Sequence, residues 1–285
     1  MENIPQCPKP VQLPQSEVEK MLEKHKEIAL KYIETIKSNH RIIAVVGLGS
    51  LARMYADKIS DIDLGIIFIG KTLPVPQGES LFEGYDIDRL LINMDYYSNT
   101  SAWPMWMRET FSSAILLYSR DKKITERSLR MHVAPKKKEL QYLTTNILLD
   151  LAWHGIQLKD IINYGTPYEL PSDDFLVKRA GPLGAMIYYD FALLQVLRLF
   201  FIANKSFPPT AKWLLYEFPM RDSQIDKRIA NFMKSCTPIN KRKELIDLFE
   251  MAVIRLQDSK IIPNNLFNLY TSVQQKMKWG GLLYA

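Results

Sequence analysis

The chain has 285 residues, 47% hydrophobic and 24% charged, with a formal net charge of +6. That length suits one large domain or two moderate ones with a sizeable core, and the basic balance favours an anionic partner without choosing among nucleotide, nucleic acid and phosphorylated substrate. Two cysteines without metal-type spacing, Cys7 and Cys236, argue against a disulfide framework or a zinc site and make a reducing cytoplasm the simplest setting.

Four prolines within residues 1–14 mark an irregular lead-in without the basic-then-apolar pattern of a secretory signal. Ser16 and Glu19 form a capping-box pattern. It opens a predicted helix whose apolar positions Val18, Leu22, Ile28, Ile33 and Ile36 run to Lys37. A strand is predicted at 41–48, a turn with a short helix at 49–56, and a strand at 61–69. A loop carrying Pro74, Pro76 and Gly78 follows, then a third strand over 84–92. A short helix with Trp103 and Trp106 leads to a fourth strand, Ile115 to Tyr118.

Beyond Pro135 the pattern is helical throughout, at about 135–164, 180–204, 209–218, 224–234, 240–258 and 264–277, punctuated by prolines. The apolar segment 183–203 carries Asp190, Gln195 and Arg198, which reads as a buried helix rather than a membrane span. The expected fold is α+β. A domain over 1–132 has a mixed sheet flanked by helices, and an all-helical domain covers 133–285.

The chemistry concentrates at Gly49-Ser50, followed eleven positions later by Asp61-Ile62-Asp63 at the head of an apolar strand. Residues i and i+2 of a strand share a face, so Asp61 and Asp63 present two anionic groups together. Like charges that close resist joint ionisation, and a hard cation such as Mg²⁺ compensates them. The third strand offers Asp86 and Asp88, again i and i+2 and hence on one face. Gly49 and Ser50 supply a compact turn for phosphate oxygens ahead of a helix N-terminus. Arg53 and Lys58 are read as exposed. His25, His40, His132 and His154 show no ligand spacing and are read as structural or exposed, and Trp103, Trp106, Tyr188 and Tyr189 as packing residues.

Gly-Ser, a gap of about ten, Asp-x-Asp and a later strand acid resemble the nucleotidyltransferase superfamily that includes DNA polymerase β. The stretch Gly-Ser-Leu-Ala-Arg…Ser-Asp-Ile-Asp-Leu resembles its small bacterial members, including aminoglycoside adenylyltransferases. The resemblance implies that Asp61 and Asp63 bind Mg²⁺ in a two-metal site and that Gly49 and Ser50 contact phosphates; the family's spacing after a glycine, here Gly84, favours Asp88 as the third carboxylate, with Asp86 as the alternative. A second likeness covers residues 180–218, where Arg198 and Lys212 match an arginine and a lysine that reach the triphosphate. Asp190 matches an acid that binds or deprotonates an acceptor hydroxyl. One departure is Arg53-Met54-Tyr55, where many relatives carry a glycine.

The resulting expectation is a cytoplasmic transferase that moves AMP from ATP, or another nucleoside monophosphate, onto a hydroxyl acceptor and releases pyrophosphate, with no membrane partner. A small molecule is favoured as acceptor over a protein or RNA end; an antibiotic is one example, though a cationic one needs an acidic pocket and the helical half is not conspicuously acidic. A nucleotide-binding module without turnover is the remaining class.

Overall fold

The computed structural model describes residues 14–120, 126, 135–158, 160, 175–215, 217–218 and 223–283. The chain divides into two compact units, Val11–Ala134 and Pro135–Ala285, the latter with Met1–Pro10. The fold is α+β: a mixed five-stranded sheet with flanking helices in the first unit, and helices alone among the described residues of the second.

Helix α1 spans Gln15–Ile36. Its N-cap is Pro14, with no side-chain capping bond, so the predicted capping box does not form. The helix starts before Ser16, and Glu19 instead accepts from the Gln15 amide at 3.0 Å. Then follow β1 (Ile42–Gly47), α2 (Gly49–Ala52), β2 (Ile62–Phe68), β3 (Gly78–Phe82), β4 (Tyr85–Asn93), α3 (Met94–Ser98), α4 (Met105–Ser112) and β5 (Ile115–Ser119). The strand order is β3-β4-β2-β1-β5. Among the described strands, β2 and β4 run parallel and the other pairs are antiparallel.

The central strands are apolar on both faces because both faces are covered. On one face α1 contributes Ile28, Tyr32 and Ile33 against Val45, Ile62, Leu64 and Ile87. On the other, Tyr97, Trp103, Met107 and Phe111 pack on Ala44, Val46, Ile67 and Ile92. Edge strand β3 lies where the sequence suggests a loop. It alternates half-buried and exposed positions and joins β4 through Glu83-Gly84. Both turn residues have positive φ, +48° and +83°, the conformation of a two-residue type I′ hairpin turn.

In the second unit, α5 (Lys137–Trp153), α6 (Phe175–Ala203), α7 (Ala211–Leu214), α8 (Ser223–Lys234), α9 (Pro238–Asp258) and α10 (Leu266–Leu283) follow one another. The predicted helix over 209–218 is a single turn, α7. Helix α6 bends at Gly181, whose φ is +69°, immediately before Pro182. Its segment Ala180–Ala203 has the length and hydropathy of a membrane-crossing helix, and 56% of that window is buried within the protein. Ala185, Tyr189, Val196 and Phe200 of α6 and Leu245, Phe249 and Leu256 of α9 belong to the buried core.

Candidate active site

The sheet brings carboxylates into register. Asp63 on β2 is the direct partner of Asp88 on β4. Their neighbours Ile62, Leu64 and Ile87 face α1, so alternation puts both acids on the α4 side. Aligned neighbours on adjacent strands lie about 5 Å apart. Asp61 stands exposed just before β2, two residues from Asp63. Asp86 is also exposed, two residues nearer the start of β4 and paired with Leu81. Of the two candidates for the third acid, Asp88 is the one level with Asp63.

The sequence reading missed a further acid. Glu79 on β3 is the register partner of Asp88, so Asp63, Asp88 and Glu79 form one row across three strands. The signal was Gly84, which closes a hairpin that only becomes visible if 78–82 is read as a strand.

Local packing holds the row at the sheet's end. The Asp63 side chain lies against the Cα of Gly49: a Cβ at that glycine, which has a φ of +48°, would come 1.7 Å from Asp63 Oδ2. The Leu48 N–H donates to the Asp63 carbonyl at 2.9 Å. Ser50 is buried, and its hydroxyl donates to the Asp61 carbonyl at 3.1 Å. The Gly49-Ser50 turn is thereby tied to both ends of Asp61-Ile62-Asp63. One step further along β2, a Cβ on Gly65 would meet the Phe111 ring at 3.1 Å. The aromatic cover over β2 therefore begins directly beyond Asp63.

Arg53 is a correction to the sequence reading. Its side chain is 6% exposed and forms an ion pair with Glu109 of α4, equally buried. A charge in an exposed-looking turn is buried here because α4 brings its counter-charge. Arg89, which follows Asp88, does not neutralise that acid. It points to the α1 face, donating to the Gly78 carbonyl at 2.8 Å, the Tyr32 hydroxyl at 3.2 Å and the Glu79 carbonyl at 3.3 Å. Lys58 is exposed on a turn closed by Asp57 and Ser60. With Lys20, Met21 and Tyr55 it lines a cavity of about 680 Å³.

His25 is buried, and neither ring nitrogen has a hydrogen-bond partner. Its ring meets Tyr85 edge-on at 5.6 Å. Burial lowers its pKa below 6.5, opposed by the charges of Asp57 and Asp61. His132 lies outside the described residues. Trp103 is buried, its indole N–H donating to the Tyr96 carbonyl at 2.9 Å, whereas Trp106 is exposed.

The remaining predicted residues belong to the helical unit. Asp190 forms an ion pair with the buried Lys241 of α9, whose ammonium lies 4.6 Å from the Phe232 ring centroid. Arg198 donates to Gln195 Oε1 at 3.0 Å, and the Gln195 amide in turn donates to Asp150. Lys212 lies 5.8 Å from the Trp213 ring centroid.

Hard carboxylate oxygens in register suit a divalent cation. The backbone aligns them but the side chains do not gather: among the described residues no three His, Cys, Asp or Glu form a ready metal cluster. The donor type suits such a cation, and the side chains as placed do not close a site around one.

No protein-family model and no curated protein matches the chain. Among solved structures, a nucleotidyltransferase-like protein from Exiguobacterium sibiricum is similar at 13% identity and a TM-score of 0.43, covering 82% of this chain and 76% of its own.

Proposed function

We infer that the chain is a metal-dependent nucleotidyltransferase that moves a nucleoside monophosphate, AMP from ATP in the simplest case, onto the hydroxyl of a small molecule. One observation carries the reading: Asp63 and Asp88 are aligned on adjacent parallel strands, with Asp63 pressed over the Gly49 turn. The Gly-Ser…Asp-x-Asp pattern supports the same chemistry.

The acceptor oxygen attacks the α-phosphorus, the bond from that phosphorus to the bridging oxygen breaks, and pyrophosphate leaves. The hydroxyl proton passes to solvent or to a carboxylate of the row. Asp61, Asp63 and Asp88 would hold Mg²⁺, which supplies charge neutralisation at the triphosphate. The Gly49 turn keeps backbone close to Asp63 and leaves no side chain between that acid and the phosphates.

The test is pyrophosphate release with labelled triphosphates and a panel of hydroxyl acceptors. Asp63→Asn is expected to lower turnover at least about a hundredfold, because losing even an outer partner of a metal ligand costs 10–100-fold. The thermal midpoint should stay near that of the wild type. Near-normal turnover in this variant would sink the metal assignment.

A further inference from the structure

Helix α6 carries an exposed stripe that its packing does not use. Phe191 is 55% exposed and Tyr188 41%, with Leu183 and Ile187 exposed one to two turns earlier. Their spacing, 183, 187, 188 and 191, sets them on one helical face. His154, just after α5, joins the two aromatics, its ring centroid 5.7 Å from Tyr188 and 6.0 Å from Phe191.

That histidine is held in a defined orientation. Its Nδ1 bonds the Asp150 carbonyl at 2.7 Å. A carbonyl oxygen only accepts, so Nδ1 carries the proton, and in the neutral ring Nε2 is an acceptor. The stripe thus carries two exposed aromatic rings, Tyr188 and Phe191, with one hydrogen-bond acceptor beside them.

The same helical face reaches Arg198 seven residues after Phe191, about 10 Å along the axis. Arg198 is half-buried, and among the described residues no carboxylate pairs with it directly. Its counter-charge Asp150 is reached only through the Gln195 amide. Burial disfavours its charged form and Asp150 opposes this. A half-buried guanidinium with a relayed counter-charge is complementary to an arriving anion.

We propose that this face of the helical unit binds a nucleotide: the base stacks on Tyr188 and Phe191, an exocyclic amino group donates to His154 Nε2, and phosphate meets Arg198. Two turns of helix between ring and cation match the reach from a base to its outer phosphates. The proposal rests on the transfer reading above and adds to it base recognition by amino-bearing bases, adenine and cytosine ahead of uracil.

The test is calorimetric titration of the full chain, without metal, with ATP and separately with inorganic tripolyphosphate. Phe191→Ala and Tyr188→Ala are each expected to weaken ATP binding about tenfold, within the range of base–aromatic stacking. Tripolyphosphate affinity should stay at the wild-type value, and Phe191→Trp should restore ATP binding. Undiminished ATP affinity in both alanine variants would overturn the proposal. So would an equal loss for tripolyphosphate, or a wild-type chain that binds no ATP under these conditions. A wild-type dimer that Phe191→Ala disperses, with ATP affinity unchanged, would assign the stripe to a second copy of the chain and also overturn it. Asp63→Asn assayed in parallel reports on the transfer reading separately, through pyrophosphate release.

Discussion

Gly49 has two reasons to be glycine, and they separate experimentally. Its φ of +48° costs a residue with a Cβ about 1–2 kcal/mol. The Cβ would also strike Asp63 Oδ2. Gly49→Ala is therefore expected to destabilise the fold by more than the backbone term alone, measured by urea unfolding. Shortening Asp63 to Ala removes the collision. The double variant should then be less unstable than the sum of the two singles, a coupling that a double-mutant cycle reads directly. Arg53 and Glu109 give a second residue-scale expectation. Removing one partner leaves a buried charge and costs about 3–5 kcal/mol, whereas Arg53→Met with Glu109→Leu should cost far less. The motif acids were legible in the sequence because Gly-Ser and Asp-x-Asp stand close together in the chain. The burial of Arg53 was not, because Glu109 lies 56 positions away and a lone arginine in a turn reads as solvated.

Among elements, α1 and the β3–β4 hairpin carry the consequences. His25 on α1 is buried and unpartnered, with its pKa held below 6.5 by burial. At acid pH the unfolded chain takes up this proton more readily than the folded one. The contribution to stability is thus complete above about pH 6.5 and is lost as pH falls below it. Thermal midpoints measured from pH 7.5 to 5.5 should fall in the wild type and fall less in His25→Leu. The hairpin shows where periodicity fails as a guide. An edge strand needs only one sheltered face, and Pro74 and Pro76 stand just before it. The turn is Glu-Gly rather than the more recognisable Asn-Gly. Strands β1, β2 and β4 were readable because burial makes them apolar, and Asp88 could be proposed for the same reason. Glu79 was hidden with the strand that carries it.

At the scale of the whole molecule, the residues singled out from the sequence fall in both units. Asp61, Asp63, Asp88, Gly49 and Ser50 belong to one unit, and Asp190, Arg198 and Lys212 to the other. The change of texture near residue 132 is a property of the sequence, where strand-like runs stop. The ion pair of Asp190 with Lys241 could not be read there, nor the relay from Arg198 through Gln195 to Asp150, since Lys241 and Asp150 lie on other helices. The division makes metal removal informative. Chelation with EDTA is expected to stop pyrophosphate release, and Mg²⁺ to restore it. Mg²⁺ without nucleotide should slow hydrogen exchange in segments spanning β2 and β4 and leave those of α6 and α9 unchanged. Protection confined to the helical segments would contradict the carboxylate assignment.

The parallel pairing of β2 with β4 also determines the sign of charge beside Asp63. Asp88 and Arg89 are consecutive, so moving β4 by a single residue would exchange an acid for a cation there. The three hydrogen bonds that hold Arg89 on the α1 face oppose that slip. Arg89 thus acts as an alignment pin for the opposite surface, and Arg89→Leu is predicted to weaken Mg²⁺ binding from a position that never touches the ion. One-residue insertions or deletions between β2 and β4 should be tolerated only where they leave this pin engaged.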